Sequence, residues 1–313
     1  MVEDNEIKAQ VSPFAIRQGE IKVFDGKDGY VSMNQIVHKI NIGHINEVHF
    51  SIMELVNEFE FITSRQIFQL LEWKGIDVTS QDKLNNKLDQ LVKSKILTRY
   101  YFSSAEGKGI YRVYCLEKMG KYLLNSRGIE CKWQPTDNTK PVPMIKKRLA
   151  GNQTIIAYLR KVKVFDSYIA KPAINAKMIG KTFKTSGGSV KLTKNDKSLQ
   201  FLFEVVRRED DWEKKIVDKM KLYQDFYQNF VPGDSNFSTM PQLVLICEDD
   251  RHMAETFKAI VMGKAEIPQI KLYFSTDLRQ NEPTLDKTLV EFVQDETTGK
   301  YKIKDVEVKI LGI

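Results

Sequence analysis

Glu204 stands near the end of the most hydrophobic run in the chain, Leu199-Gln200-Phe201-Leu202-Phe203-Glu204-Val205-Val206, and Arg207-Arg208-Glu209-Asp210-Asp211 follow it. A carboxylate at the end of a central strand suits a metal-dependent nuclease, in which carboxylates hold Mg²⁺ and a lysine helps the attacking water. Two features argue against that chemistry. The residue two after Glu204 is Val206, where such a site wants Lys, and residues 167–195 contain no Asp or Glu to act as a second metal ligand. Asp166 and Asp196 lie just outside. The alternative is a strand end emerging into solvent. No catalytic set and no resident metal are assigned, and Mg²⁺ is expected only if Glu204 cuts.

A second group of side chains suits duplex nucleic acid. Leu84, Leu88, Leu91 and Val92 form one helical stripe, and the opposite face carries Gln81, Lys83, Asn85, Asn86, Lys87 and Gln90. Amides at such a face can pair with base edges, and lysines can reach phosphates or guanine. Downstream, Arg99, Lys108 and Arg112 lie on a strand pair and could touch backbone or minor groove. The alternative is a polar helix face that is only solvated. Residues 138–165 contain seven Lys or Arg and no Asp or Glu, the strongest local charge bias in the chain. Lys146, Lys147 and Arg148 in this run are candidates for a secondary phosphate contact. The favoured alternative is a solvated outer helix, because Ile155, Ile156 and Leu159 bury one face.

Other chemistries find no support. Ser186-Gly187-Gly188-Ser189 lacks the spacing and the Lys of a phosphate loop and reads as a turn. His38, His44, His49 and His252, with Cys115, Cys131 and Cys247, show no close metal-ligand pairs and no disulfide framework. Three cysteines fit a reducing cytoplasm. Met1–Gln10 is acidic and polar rather than a signal peptide, and no apolar run reaches the roughly 18 residues of a membrane span. Apolar residues at 42% and charged residues at 28% place the chain among globular proteins, and a net charge of +7 admits an anionic partner without demanding one.

These side chains need elements to hold them. Residues 1–48 read as an arm with short strands at Lys22–Phe24 and Gly29–Met33. A helix from Phe50 shows the stripe Ile52, Leu55, Val56 and Phe59. Thr63-Ser64-Arg65-Gln66 is a capping box opening a second helix that Gly75 can stop, and a third starts at Thr79 or Ser80. The period then becomes alternating across Thr98–Ser103 and Ile110–Leu116, a hairpin, before a fourth helix that ends at Gly128. Three helices followed by a ribbon over residues 49–128 is the pattern of a winged helix-turn-helix. Residues 129–143 read as a linker. Residues 144–313 read as an α/β domain with a mixed sheet: a helix, strands at Val164–Ala170, Lys177–Lys184, Val190–Leu192 and Leu199–Val206, then helices alternating with the apolar strands Leu243–Cys247 and Ile270–Phe274, and a final hairpin or edge strands at Leu289–Val293 and Lys302–Leu311.

The order of elements resembles the replication-relaxation family of Gram-positive plasmids and mobile elements. The likeness covers residues 49–275. It is carried by Phe61-Ile62-Thr63-Ser64-Arg65-Gln66-Ile67, by Tyr111-Arg112-Val113-Tyr114-Cys115-Leu116 leading into Met119-Gly120, and by Phe201-Leu202-Phe203-Glu204-Val205 followed by Lys215, Lys219 and Tyr223. The resemblance implies a winged helix joined to a restriction-endonuclease-like domain. It puts Glu204, Lys219 and Tyr223 in the places of an acidic strand and a Lys and Tyr helix, with Val206 departing from a working nuclease. It also implies a role in plasmid or mobile-element DNA processing or its control. The reading is therefore a two-domain, cytoplasmic, homodimeric protein that binds double-stranded DNA and uses a catalytically inactive nuclease-like scaffold. Its rivals are a Mg²⁺-dependent nuclease at Glu204 and a winged helix that binds protein as an adaptor.

Overall fold

Local signals shape the first half of the chain. The computed structural model describes residues 12–105, 107–195, 197–282, 284, 287–294, 297 and 300–306. Strand β1 (Ile21–Phe24) is followed by helix α1 (Met33–Asn41), which Ser32 and Gln35 close with a reciprocal capping box. The expected strand at 29–33 is thus replaced by a coil leading into a helix. Helix α2 (Glu47–Phe59) and the short strand β2 (Ile62–Thr63) come next. Helix α3 (Ser64–Trp73) starts behind Thr63, whose hydroxyl accepts the Gln66 N–H at 3.2 Å while the Gln66 side chain accepts the Thr63 N–H at 3.1 Å. Gly75, at φ +69°, turns the chain out of α3. Helix α4 (Gln81–Lys93) is capped by Ser80. Strands β3 (Leu97–Ser104) and β4 (Gly107–Leu116) form the hairpin, and helix α5 (Lys118–Ser126) follows. Strand β1 adds to β3, so the sheet runs β1-β3-β4-β2.

The expected linker is an ordered junction. Residues Pro135–Thr139 form a 3₁₀ turn centred on Asn138. Its amide donates to the Leu116 carbonyl at 3.1 Å and accepts the Trp133 indole N–H at 3.2 Å, and its backbone carbonyl accepts from Lys22 Nζ at 2.6 Å. Helix α6 (Val142–Lys161) begins directly after it.

A seven-stranded mixed sheet fills the second half. Its strands are β5 (Phe165–Ile169), β8 (Ser189–Lys194), β9 (Lys197–Val205), β10 (Gln242–Cys247), β11 (Tyr273–Thr276), β12 (Val290–Gln294) and β13 (Tyr301–Asp305). The order is β13-β12-β11-β10-β9-β8-β5, with β9, β10 and β11 parallel and the other pairs antiparallel. Helix α7 (Trp212–Gln228) connects β9 to β10, and α8 (Asp250–Met262) connects β10 to β11, as the strand–helix alternation predicts. The stretch expected as one strand at 177–184 is instead the turn and second arm of a small hairpin, β6 (Ala173–Ala176) with β7 (Lys181–Lys184). Residues 307–311 of the expected last strand lie outside the described residues.

Helix α6 sits in the middle of the molecule. One hydrophobic cluster runs from Phe14 through the N-terminal helices and hairpin, across α6, to Phe201, Phe203, Val244 and Ile246 of the large sheet. A second packs α7 and α8 on the other face of that sheet. Phe59 stacks on Tyr168 of β5, Trp73 meets the same ring edge-on, and Tyr158 of α6 packs on Phe201 and Phe203. Buried residues therefore occur all round α6, which explains its lack of a single apolar stripe. Gly151 permits the closest approach. A Cβ there would lie 2.4 Å from the Ser186 carbonyl, in the turn that presses on Phe203. The two halves of the chain thus share one core rather than being strung on a tether.

Candidate nucleic-acid interface and the Glu204 pocket

Helix α4 presents the expected polar face. Lys83, Asn85, Asn86 and Gln90 are exposed, Gln81 and Lys87 are half-buried, and Lys83 and Lys87 have no ion-pair partner among the described residues. Gln81 Nε2 donates to Asn85 Oδ1 at 3.2 Å, which aligns two of the amides. Gln90 is engaged within the fold instead. Its Oε1 lies 2.8 Å from His49 Nε2, which ties α4 to α2. Burial, and then the Lys87 charge, lower the His49 pKa despite this bond. Gln81, Asn85 and Asn86 face a cleft of about 1610 Å³ whose other walls are α3, the hairpin, Pro13 and Phe14 of the arm, the end of α6 and residues 277–282. Arg160 and Lys161 stand across it, and burial pushes the Lys161 ammonium down to about 8. Five cationic side chains and four carboxylates line this cleft, so its charge is nearly balanced.

The hairpin arginines are not free to meet DNA as expected. Arg99 Nε lies 3.1 Å from Asp25 Oδ2, and its guanidinium also pairs with Asp89 of α4. Arg112 Nε lies 2.6 Å from the same Asp25 oxygen, although half its side chain remains exposed. The physical reason is β1: its pairing on β3 delivers Asp25 to both arginines. Lys108 is on β4, but its side chain lies outside the described residues.

The basic edge of α6 is also corrected. Lys146 is buried, paired with Glu20 at 2.5 Å and donating to the Ala15 carbonyl. Arg148 is buried and donates to the Ala170 carbonyl at 2.8 Å. Lys147 pairs with Glu209. Lys146 and Arg148 hold the arm and the β5–β6 loop against α6, and cannot form a solvated phosphate-contacting edge.

Glu204 is where the strand pattern puts it, at the end of β9, but each of its carboxylate oxygens accepts a hydrogen bond from within the fold. Ser186 Oγ donates to Oε1 at 2.7 Å, the Tyr223 hydroxyl donates to Oε2 at 2.7 Å, and Lys219 Nζ lies 3.7 Å away. Lys219 and Tyr223 reach it together because they are one turn apart on α7. Burial, reinforced by the Glu204 charge, pushes the Tyr223 phenol well above its ordinary range, so it stays a donor. Among the described residues, no group of three His, Cys, Asp or Glu side chains is placed to hold a metal ion. As arranged, Glu204 serves as an acceptor that locks β9, α7 and the Ser186 turn together.

The same pocket contains residues that the sequence did not single out: Glu60, Trp133, Lys171, Lys184 and Ser186. The glycines after Ser186 were a turn signal, and a turn beside a strand-end carboxylate is a place to look for its partner. Glu60 carried no local signal. Among the described residues, no helix is long and apolar enough to cross a membrane. The chain matches no family model, no curated protein and no solved structure.

Proposed function

We propose that this chain is a double-stranded DNA-binding protein in which α2, α3, α4 and the β3–β4 hairpin act as a winged helix-turn-helix. The observation that carries the reading is the polar surface of α4, where Lys83 and Lys87 have no ion-pair partner among the described residues on one flank and Gln81 and Asn85 lie on the other, with Asn86 between them. A helix fits the major groove, where these amides reach base edges and the lysines reach phosphates. Arg99 and Arg112 act indirectly, fixing the hairpin against β1 and α4 through Asp25 and Asp89. Two copies bind paired half-sites as a homodimer. The setting is control of replication, transfer or transcription on a plasmid or mobile element, following the family resemblance.

Binding of labelled duplexes by the full chain tests this. The full chain is needed because the halves share a core. Lys83→Ala with Lys87→Ala is expected to weaken binding uniformly across sequences and to reduce the salt slope by about 2. An unchanged affinity and slope would show that α4 is not the contact surface. The balanced charge of the α4 cleft supports a second reading, an adaptor whose cleft takes a polypeptide. That reading predicts no retarded DNA even at low salt.

In this reading the α/β unit is a nuclease-like scaffold that does not cut, supported by the hydrogen bonds that Ser186 and Tyr223 direct at Glu204, which give its carboxylate a structural role. Supercoiled plasmid incubated with the protein and Mg²⁺ should show no nicking beyond that of Glu204→Gln. Nicking by the wild type alone would restore the nuclease.

A further inference from the structure

Glu60 terminates α2 in a conformation that side-chain-bearing residues rarely adopt. Its φ of 71° and ψ of −62° make a tight γ-turn, closed by the Phe61 N–H on the Phe59 carbonyl at 2.9 Å. Asn152 of α6 holds the turn by donating to the Phe59 and Phe61 carbonyls at 3.3 and 2.7 Å. The turn aims the Glu60 carboxylate at three cations from three separate segments. Lys140 of the junction bonds to it, and Arg148 Nε of α6 and Lys171 Nζ of the β5–β6 loop each lie 3.7 Å away. Burial works against the Glu60 charge, but Lys171, Lys140 and Arg148 outweigh it and hold the carboxyl below its usual range.

One carboxylate does not neutralise this site. The pocket, about 480 Å³, is lined by seven cationic side chains and three carboxylates, Glu60, Asp137 and Glu204. Glu209 and Glu130 pair with Lys147 and Lys132 from outside the lining, and positive charge is still in excess. Lys184 is exposed and has no ion-pair partner among the described residues. Lys171 is half-buried, and its pKa is lowered first by burial and then by the charges of Arg148, Lys140 and Lys184 against the pull of Glu60. A concave site that gathers more cations than carboxylates is built for an anion that is not part of the chain.

We infer that this pocket binds the phosphate group of a nucleotide or of a nucleic-acid strand, with Lys171 and Lys184 as its principal contacts and Glu60 as the post that holds the cations in place. The site is independent of the duplex reading, since no α4 side chain lines it. It exists only because the halves of the chain pack together: Glu60 comes from the first, Lys171 and Lys184 from the second.

The test uses the full chain and three probes: inorganic phosphate, a 5′-phosphorylated single-stranded oligonucleotide, and the same oligonucleotide with a 5′-hydroxyl. Trp133 lines the pocket while Trp73 and Trp212 do not, so tryptophan fluorescence reports occupancy. Saturable binding is expected in the wild type. It should weaken at least about tenfold in Lys171→Gln with Lys184→Gln, which removes two charge-assisted contacts, and stay unchanged in Lys163→Gln outside the pocket. Lys184 is exposed, so Lys184→Gln alone should keep the wild-type melting temperature and still weaken binding, which separates lost contact from lost folding. Preference for the phosphorylated oligonucleotide assigns the phosphate to a strand end, equal binding of both oligonucleotides to the strand backbone, and binding of inorganic phosphate alone to a small molecule. Lys83→Ala with Lys87→Ala should bind every probe like the wild type, which separates this site from α4. No saturable binding of any probe, or equal affinity in the double Gln variant, would overturn the inference.

Discussion

Replacing Arg207 by Met is expected to destabilise the protein by about 3–5 kcal/mol. Arg207 is completely buried, and its Nη2 lies 2.7 and 2.9 Å from the two carboxylate oxygens of Asp277, itself nearly inaccessible. Its Nη1 donates to the Val206 carbonyl at 2.8 Å and to the Ile246 carbonyl at 3.3 Å. The residue therefore joins the carboxyl ends of the parallel strands β9, β10 and β11 by one side chain. The substitution leaves Asp277 buried without its cation, and the loss of the pair's partner, rather than the pair's own worth, sets the magnitude. The N-terminal arm should loosen as well. Ser12 Oγ donates to Asp277, the Tyr111 hydroxyl donates to the Pro13 carbonyl at 3.0 Å, and Ile16 N–H donates to Glu248 at 3.3 Å. Urea unfolding gives the stability change, and limited proteolysis reports the arm, which should be cut before the rest of the chain unfolds. Arg207→Met with Asp277→Leu removes both charges and should recover part of the loss. A single variant within about 1 kcal/mol of the wild type would show that solvent reaches this ion pair.

The Arg207 cluster also marks where sequence reading stops. The Thr63 capping box, the α4 stripe, the alternation of the hairpin and the apolar runs of β9, β10 and β11 are local patterns, and each is realised within a few residues of its expected bounds, whereas the Ser32 capping box of α1 went unread. Glu204 was placed on its strand for the same reason. What could not be read is who meets whom across the chain. Lys146 is a surface lysine by composition, and only the return of the arm brings Glu20 to it from 126 positions away. Arg99 and Arg112 look like free basic residues of a hairpin until the register of β1 against β3 delivers Asp25 to both. The run of residues 138–165 looks basic because it carries no acid of its own. Its partners, Glu20, Glu60 and Glu209, lie on other segments. The prolines of the junction read as a linker because a local rule cannot see Asn138 anchored to Leu116, Trp133 and Lys22. The same limit hid the phosphate pocket, whose lysines belong to segments on both sides of α6.

Mild acid should destabilise this protein through His252. His252 is fully buried, packed edge-on to Trp212 with ring centroids 4.7 Å apart. Its Nδ1 accepts the Glu248 N–H at 3.3 Å, which places the proton of the neutral ring on Nε2, and Nε2 is buried with no partner among the described residues. A second proton would have to go on Nδ1, against the N–H that already points there. Burial, then the charges of Arg208 and Arg207, push the His252 pKa down to about 3, with Asp249 pulling weakly the other way. The folded-state pKa is thus below that of the unfolded chain, so the unfolded state takes up the proton first. The stability is fully present above about pH 6.5 and is lost as pH falls toward about 3, by up to about 1.4 kcal/mol per pH unit. His49, also buried and lowered, adds to the same trend. Urea unfolding of the wild type should therefore show a loss of about 1.6 kcal/mol between pH 6.5 and pH 5 from His252 alone. His252→Gln keeps an acceptor for the Glu248 N–H and cannot titrate, so its stability should fall less steeply over that interval, and adding His49→Gln should flatten it further. Parallel pH profiles for wild type and His252→Gln would mean that the imidazole is solvated and titrates normally.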